Sequence, residues 1–218
     1  MKKISTLVIC LIAATKLFSQ DCSGFLYMQK GKTIESTAYN AAGQVMRKTV
    51  DFVSVVSTSN GTTIATVNAK SFDSSGHPRG TRTISYKCNG GTFSVDMTAL
   101  SPQTVSNARL NGSYMDYPAN MRVGDHFPDA SMQIQLAIES QTMNVTEKIT
   151  NRSVANKEAV TTPAGTWDAF KITCTVTTTM SSGNMGPQTT EMTQWFVPGF
   201  GVVQWKIMNM TIKITSIH

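Results

Sequence analysis

The sequence predicts an all-β protein: one large antiparallel up-and-down sheet, curled into a half-barrel or barrel. Three observations carry this. Apolar and polar residues alternate with period two over many segments, as in Phe170, Ile172, Cys174 and Val176 against Lys171, Thr173 and Thr175. Hairpin signals recur between these segments. Helix start and stop signals are scarce, while Thr, Ser, Val and Ile abound.

The expected strands follow in order: 33–39, 45–58, 62–71, 80–88, 91–97, 112–117, 131–140, 142–152, 157–162, 166–179, 189–197 and 201–216. "YNAAGQ" (39–44) and "FDSSGH" (72–77) share an aromatic–Asn/Asp–x–x–Gly pattern, which suits a hairpin loop with glycine at positive φ. "SNGT" (59–62) and "CNGGT" (88–92) carry Asn-Gly, a short-hairpin signal. "SSGNMGPQ" (181–188) reads as a longer loop. The one departure, 98–110, has room for a short helical segment. At 207–216, Met208, Met210, Ile212 and Ile214 share one face of a single expected strand. Gly199 and Gly201 bracket Phe200 and suggest a bulge that bends the sheet. Long strands joined by tight turns must curl and cover their apolar face, which a barrel or grooved half-barrel does.

The first 19 residues read as a secretory signal: Lys2 and Lys3, a short apolar core Leu7–Ala14, and Ser19 at its end. The apolar run is too short to span a bilayer. Residues 20–218 then form a single all-β domain. Asp21 stands before Cys22, where a lipid-anchor signal needs a small residue. The expected product is soluble, periplasmic or extracellular, and without a lipid anchor or membrane span. Removing Lys2, Lys3 and Lys16 from the 19 basic residues leaves 16 against 13 acids, a balance of +3. No basic block interleaved with aromatics remains, which argues against a nucleic-acid partner.

Cys22, Cys88 and Cys174 remain in an oxidising compartment. Cys22 opens the mature chain, and Cys88 ends a strand at a hairpin, where a terminus can be stapled to the sheet. Cys174 lies on the apolar face of its strand. A Cys22–Cys88 disulfide with Cys174 free is expected, and no cysteine pair has metal-ligand spacing.

"TTPAGTWDAF" (161–170) puts Pro-Ala-Gly between two strands. No Gly-x-Ser-x-Gly and no following helix support a nucleophile elbow, so the segment reads as a hairpin corner. Around it the chain resembles the TapB-like group of secreted bacterial domains of unknown function. The matching stretches are Cys22 ahead of "FLYMQKGKTIE", "YNAAGQV", "YKCNGGTFSVDM" (86–97), "YPANMRVGDHFPDA" (117–130), "NRSVANKEAVTTPAGTWDAFKI" (151–172) and "WFVPGFGVV" (195–203). This group is similar in fold to the lipoprotein carriers of the bacterial envelope (LolA/LolB-like half-barrels). The resemblance implies the half-barrel and the exported location; it brings no catalytic residues.

Histidine is scarce: His77 in a hairpin, His218 at the end, and His126 beside Asp125 in "VGDHFPDA". His126 reads as part of a polar loop, since no nucleophile or metal set accompanies it. Glu139, Glu147, Glu158, Asp168 and Glu191 fall on expected strands, yet the spacing singles out no pair. Thirteen methionines are the oddest feature. Core filling explains them first, an adaptable ligand lining second, and copper ligation a distant third. Trp167, Phe170, Trp195, Trp205, Met208 and Met210 are the candidate ligand-binding residues. The expected function is non-enzymatic binding of an apolar or lipid-like molecule in the concave face of the sheet, with no cofactor or metal. The alternative is an envelope interaction protein with a self-filled core and a protein partner.

Overall fold

A computed structural model describes residues 22–100, 108–138, 141–181 and 186–218. Thirteen strands form one sheet: β1 (Thr33–Tyr39), β2 (Val45–Ser59), β3 (Thr62–Asp73), β4 (Pro78–Asn89), β5 (Thr92–Asp96), β6 (Ala108–Gly112), β7 (Tyr114–Pro118), β8 (Ala130–Ile138), β9 (Gln141–Thr162), β10 (Gly165–Met180), β11 (Gln188–Val197), β12 (Gly201–Ile207) and β13 (Met210–Ile217). The spatial order is β6-β8-β9-β10-β11-β12-β13-β1-β2-β3-β4-β5-β7. Paired strands are antiparallel. The all-β fold is therefore as the alternation predicts. The only helical pieces among the described residues are three short 3-10 turns, one of them at Met97–Leu100. None is long and apolar enough to cross a membrane.

The two ends of this order, β6 and β7, are neighbours in sequence, separated only by Ser113. The Ser113 N–H donates to the Ser131 carbonyl, and the Ser113 carbonyl accepts from Met97 N–H. One stretch thus pairs with β8 in its first half and β5 in its second, and the sheet nearly closes into a barrel. Closure leaves little unpaired edge.

The hairpin signals act as their chemistry suggests. Asn40 Oδ1 accepts from the backbone N–H groups of Ala42 and Gln44, and Asp73 Oδ1 accepts from Ser75 and His77. The Asn60–Gly61 turn has φ of 49° and 75°, as a two-residue hairpin of this kind requires. At the corner of the "TTPAGTW" segment, Thr162 pairs with Gly165 across Pro163 and Ala164. Thr162 Oγ1 accepts from the Ala164 N–H, and Thr161 and Thr166 share a hydroxyl contact at 2.9 Å. The segment is a hairpin corner, with Thr162 buried.

Four expected elements differ. Residues 108–112, which fall mostly in the 98–110 departure, form strand β6 and pair with β8, and the expected 112–117 strand is β7. Segments 142–152 and 157–162 are one 22-residue strand, β9. Register shifts around Lys171–Thr175 and a positive φ at Asn151 absorb the interruption. The 201–216 run is two strands, because Met208 takes φ of 50° and the chain reverses between Ile207 and Met210. Pro198–Phe200 is the reversal between β11 and β12, with the bulge in the pairing displaced to Trp195–Phe196. The expected leader and Glu139 lie outside the described residues, as do 101–107 and 182–185 of the 181–188 loop.

The barrel interior is filled at one end by the segment before β1. Phe25, Leu26, Tyr27 and Met28 are buried there, and the Leu26 N–H donates to the Phe200 carbonyl. Cys22 is joined to Cys88 by a disulfide, and Cys174 is free and buried. The 66-residue separation makes this crosslink worth about 4 kcal/mol in the chain-entropy account. Phe25 stacks on Phe93 (4.9 Å), Tyr27 on Tyr86 (4.4 Å), and Tyr117 on Phe196 (4.8 Å). The main aromatic core therefore comes from the plug, β4, β5, β7 and β11, rather than from the tryptophans.

Candidate functional site

Above the plug the interior is not filled. A cavity of about 350 Å³ lies between Tyr27, Tyr86 and Phe93 below and the β1–β2, β3–β4 and β12–β13 turns at the rim. Its two walls differ in chemistry. Strands β1 to β4 contribute Ser36, Arg47, Thr49, Asp51, Ser71 and Arg82. Strands β9 to β13 contribute an apolar surface that includes Ile149, Met192, Trp205, Ile207, Met210 and Ile212, with Glu147 as its charged exception. Arg47 is exposed and lies at the open rim.

Period-two geometry explains the polar wall. On β2, residues 47, 49, 51 and 53 point one way, so Arg47, Thr49 and Asp51 face inward above Val53. Phe52, between them, points out and is exposed. In the cross-strand row Asp51–Ala69–Arg82, the small Ala69 separates an acid on β2 from a base on β4. A methyl group in the middle of the row leaves space for the two charged side chains to interact above it.

Asp51 is 7% exposed. Its Oδ2 accepts from the Tyr27 hydroxyl at 3.1 Å, and its Oδ1 has no hydrogen-bond partner among the described residues. Burial raises the carboxyl to about 6; the Tyr27 hydrogen bond and the Arg82 charge oppose the rise without cancelling it. Burial also raises the Tyr27 and Tyr86 phenols, which stay protonated, and lowers Arg82. Desolvation raises Glu147 as well.

Of the six residues expected to bind ligand, Trp205 and Met210 line this cavity. The other four lie elsewhere. Trp167 packs on Phe200 at 5.5 Å. Phe170 lies under Lys157, whose Nζ is 5.4 Å from the ring centroid. The Trp195 indole donates to Glu158 Oε1 at 2.7 Å, beside Lys171. Met208 is 70% exposed at the tip of the β12–β13 hairpin. Barrel curvature separates these residues from the cavity although they are close in sequence. Most buried methionines are core, as Met97, Met115, Met121 and Met132 show; Met192 and Met210 also reach the cavity.

His126 is exposed and forms an isolated bridge with Ser153. Asp125 Oδ2 accepts from the Arg122 N–H at 2.7 Å, so this loop is held by backbone chemistry. Beneath it, Arg152 is 1% exposed. Its guanidinium donates to the carbonyls of Pro128 (3.1 Å) and Asp116 (2.9 Å) and lies 5.2 Å from the Tyr117 and Phe127 rings.

Sequence reasoning missed Asp51, Arg47 and Arg82. Their available signal was "VMRKTVDF", where the polar set Arg47, Thr49, Asp51 alternates with Lys48, Val50, Phe52. Either face can be read as the buried one, so alternation alone does not choose.

Two solved structures share the fold. One is a candidate lipoprotein from Parabacteroides distasonis (TM-score 0.78, 20% identity, covering 91% of this chain and 100% of that one). The other is a candidate exported protein with a YmcC-like fold from Bacteroides fragilis (TM-score 0.73, 19% identity, 89% and 98%). At such identities the likeness concerns the fold. No curated protein matches the chain. The model described as DUF3108-like matches residues 29–217, from just after the plug to the end of β13, and the chain belongs to this DUF3108-like family.

Proposed function

We propose that this protein is exported and non-enzymatic, and that it holds an apolar or amphipathic ligand inside its curved sheet. The observation that carries the reading is the 350 Å³ cavity, which persists beside a tightly packed aromatic core and opens at a charged rim. Its size falls in the range of small-molecule sites, and a largely apolar wall with a few polar groups is their usual make-up. A self-filled interaction protein has no need of such a space. The resemblance to TapB-like domains and envelope lipoprotein carriers supports the same class of ligand.

The test is native mass spectrometry of the exported protein, purified without detergent. A mass increment that organic extraction removes is expected. After extraction, the protein should enhance the fluorescence of an environment-sensitive apolar dye. A bare chain that leaves the dye dark would refute the proposal.

A further inference from the structure

Resting on that reading, we infer that the ligand has an uncharged, hydroxylated polar end, with a hydroxyl donating to Asp51 Oδ1 and an alkyl part against Trp205, Ile207, Met210 and Ile212. The starting point is the buried Asp51 carboxylate, with Oδ2 engaged by Tyr27 and Oδ1 without a partner in the cavity wall. A buried acceptor without a donor is costly, and more so when charged. A ligand donor at this point relieves that cost.

The surrounding charges decide which donor. An ammonium would meet two cations in the same wall, Arg47 and Arg82. For an ionised carboxylate or phosphate the pull of Arg47 and Arg82 is offset by repulsion from Asp51 and Glu147, and such an anion carries no donor for Oδ1. A hydroxyl donates without bringing charge, and further hydroxyls can accept from guanidinium groups. Ser36, Thr49 and Ser71 continue the same wall as neutral polar surface. The facing wall from Trp205 to Ile212 is largely apolar, with Glu147 as its charged exception. The two walls therefore sort a molecule with a polyol at one side and a hydrocarbon at the other.

The experiment is calorimetric titration of the extracted protein with three probes of equal chain length, each kept monomeric: 1-decanoylglycerol, decanoate and decylammonium. 1-Decanoylglycerol is expected to bind at least about tenfold tighter than either ion. Asp51→Asn keeps the acceptor for Tyr27 but turns the Oδ1 position into an NH₂ donor. It should weaken 1-decanoylglycerol at least about tenfold and leave decanoate no weaker. A preference for decanoate or decylammonium, or an unchanged 1-decanoylglycerol affinity in Asp51→Asn, overturns the head-group assignment alone. Failure of all three probes, together with a dark dye, overturns the cavity reading beneath it; failure of the probes with dye uptake intact overturns only this inference. The ranking in the unmodified protein stands as a test even if the variant does not fold.

Discussion

Replacing Asp51 by Asn should stabilise this protein at neutral and alkaline pH while leaving it nearly unchanged in acid. The carboxyl is 7% exposed, and its pKa moves from 3.8 to about 6 in the fold. The folded state therefore holds the proton more tightly than the unfolded chain does. The favourable contribution is fully present below pH ~4 and is lost as pH rises through ~6. A shift of this size corresponds to about 3 kcal/mol. Above pH 7 the native state bears that penalty as an ionised, half-satisfied carboxylate. Asparagine resembles the protonated form: it keeps the acceptor for Tyr27 and carries no charge to desolvate. Urea unfolding of both proteins from pH 4 to pH 8 should give a difference that grows from near zero to a few kcal/mol. In thermal melts at pH 8 the variant should gain roughly 6–12 °C. If Asp51→Asn is less stable at pH 8, or if the difference does not change with pH, then the attraction of Arg82 outweighs desolvation and the reasoning fails.

Gly165→Ala should cost about 1–3 kcal/mol by thermal or urea unfolding, because residue 165 has φ of 153° and a new Cβ would lie 3.3 Å from the Trp167 ring. An unchanged melting temperature would show that the corner relaxes freely. Arg152→Ala should cost about 2–4 kcal/mol, since it leaves the Pro128 and Asp116 carbonyls unpaired and exposes the Tyr117 and Phe127 ring faces. Arg152→Lys should recover little of this, because one ammonium lacks the planar fork that reaches both carbonyls; full recovery would show that charge alone matters there.

The sequence by itself determined the strands and most of their turns. Asn40, Asp73 and Asn60–Gly61 act through their own backbones within a few residues, so their effect is local and readable. The face shared by Ile172, Cys174 and Val176 is legible for the same reason: period two is a property of one strand. The pairing of Cys22 with Cys88 followed from where a chain end meets a hairpin. Only the tertiary structure decided the rest. The reversal at Met208–Asn209 has no glycine, and the turn is imposed by pairing of β12 with β13. The continuity of β9 depends on bulges set by its partner strands. The cavity needed closure most of all. Asp51 and Arg82 face one another only because three strands align in register around Ala69. Phe52 was the more hydrophobic choice for the interior, yet it points outward. Which face of β2 turns in is set by how the sheet curls and where the plug ends, and those are contacts between residues far apart in the chain.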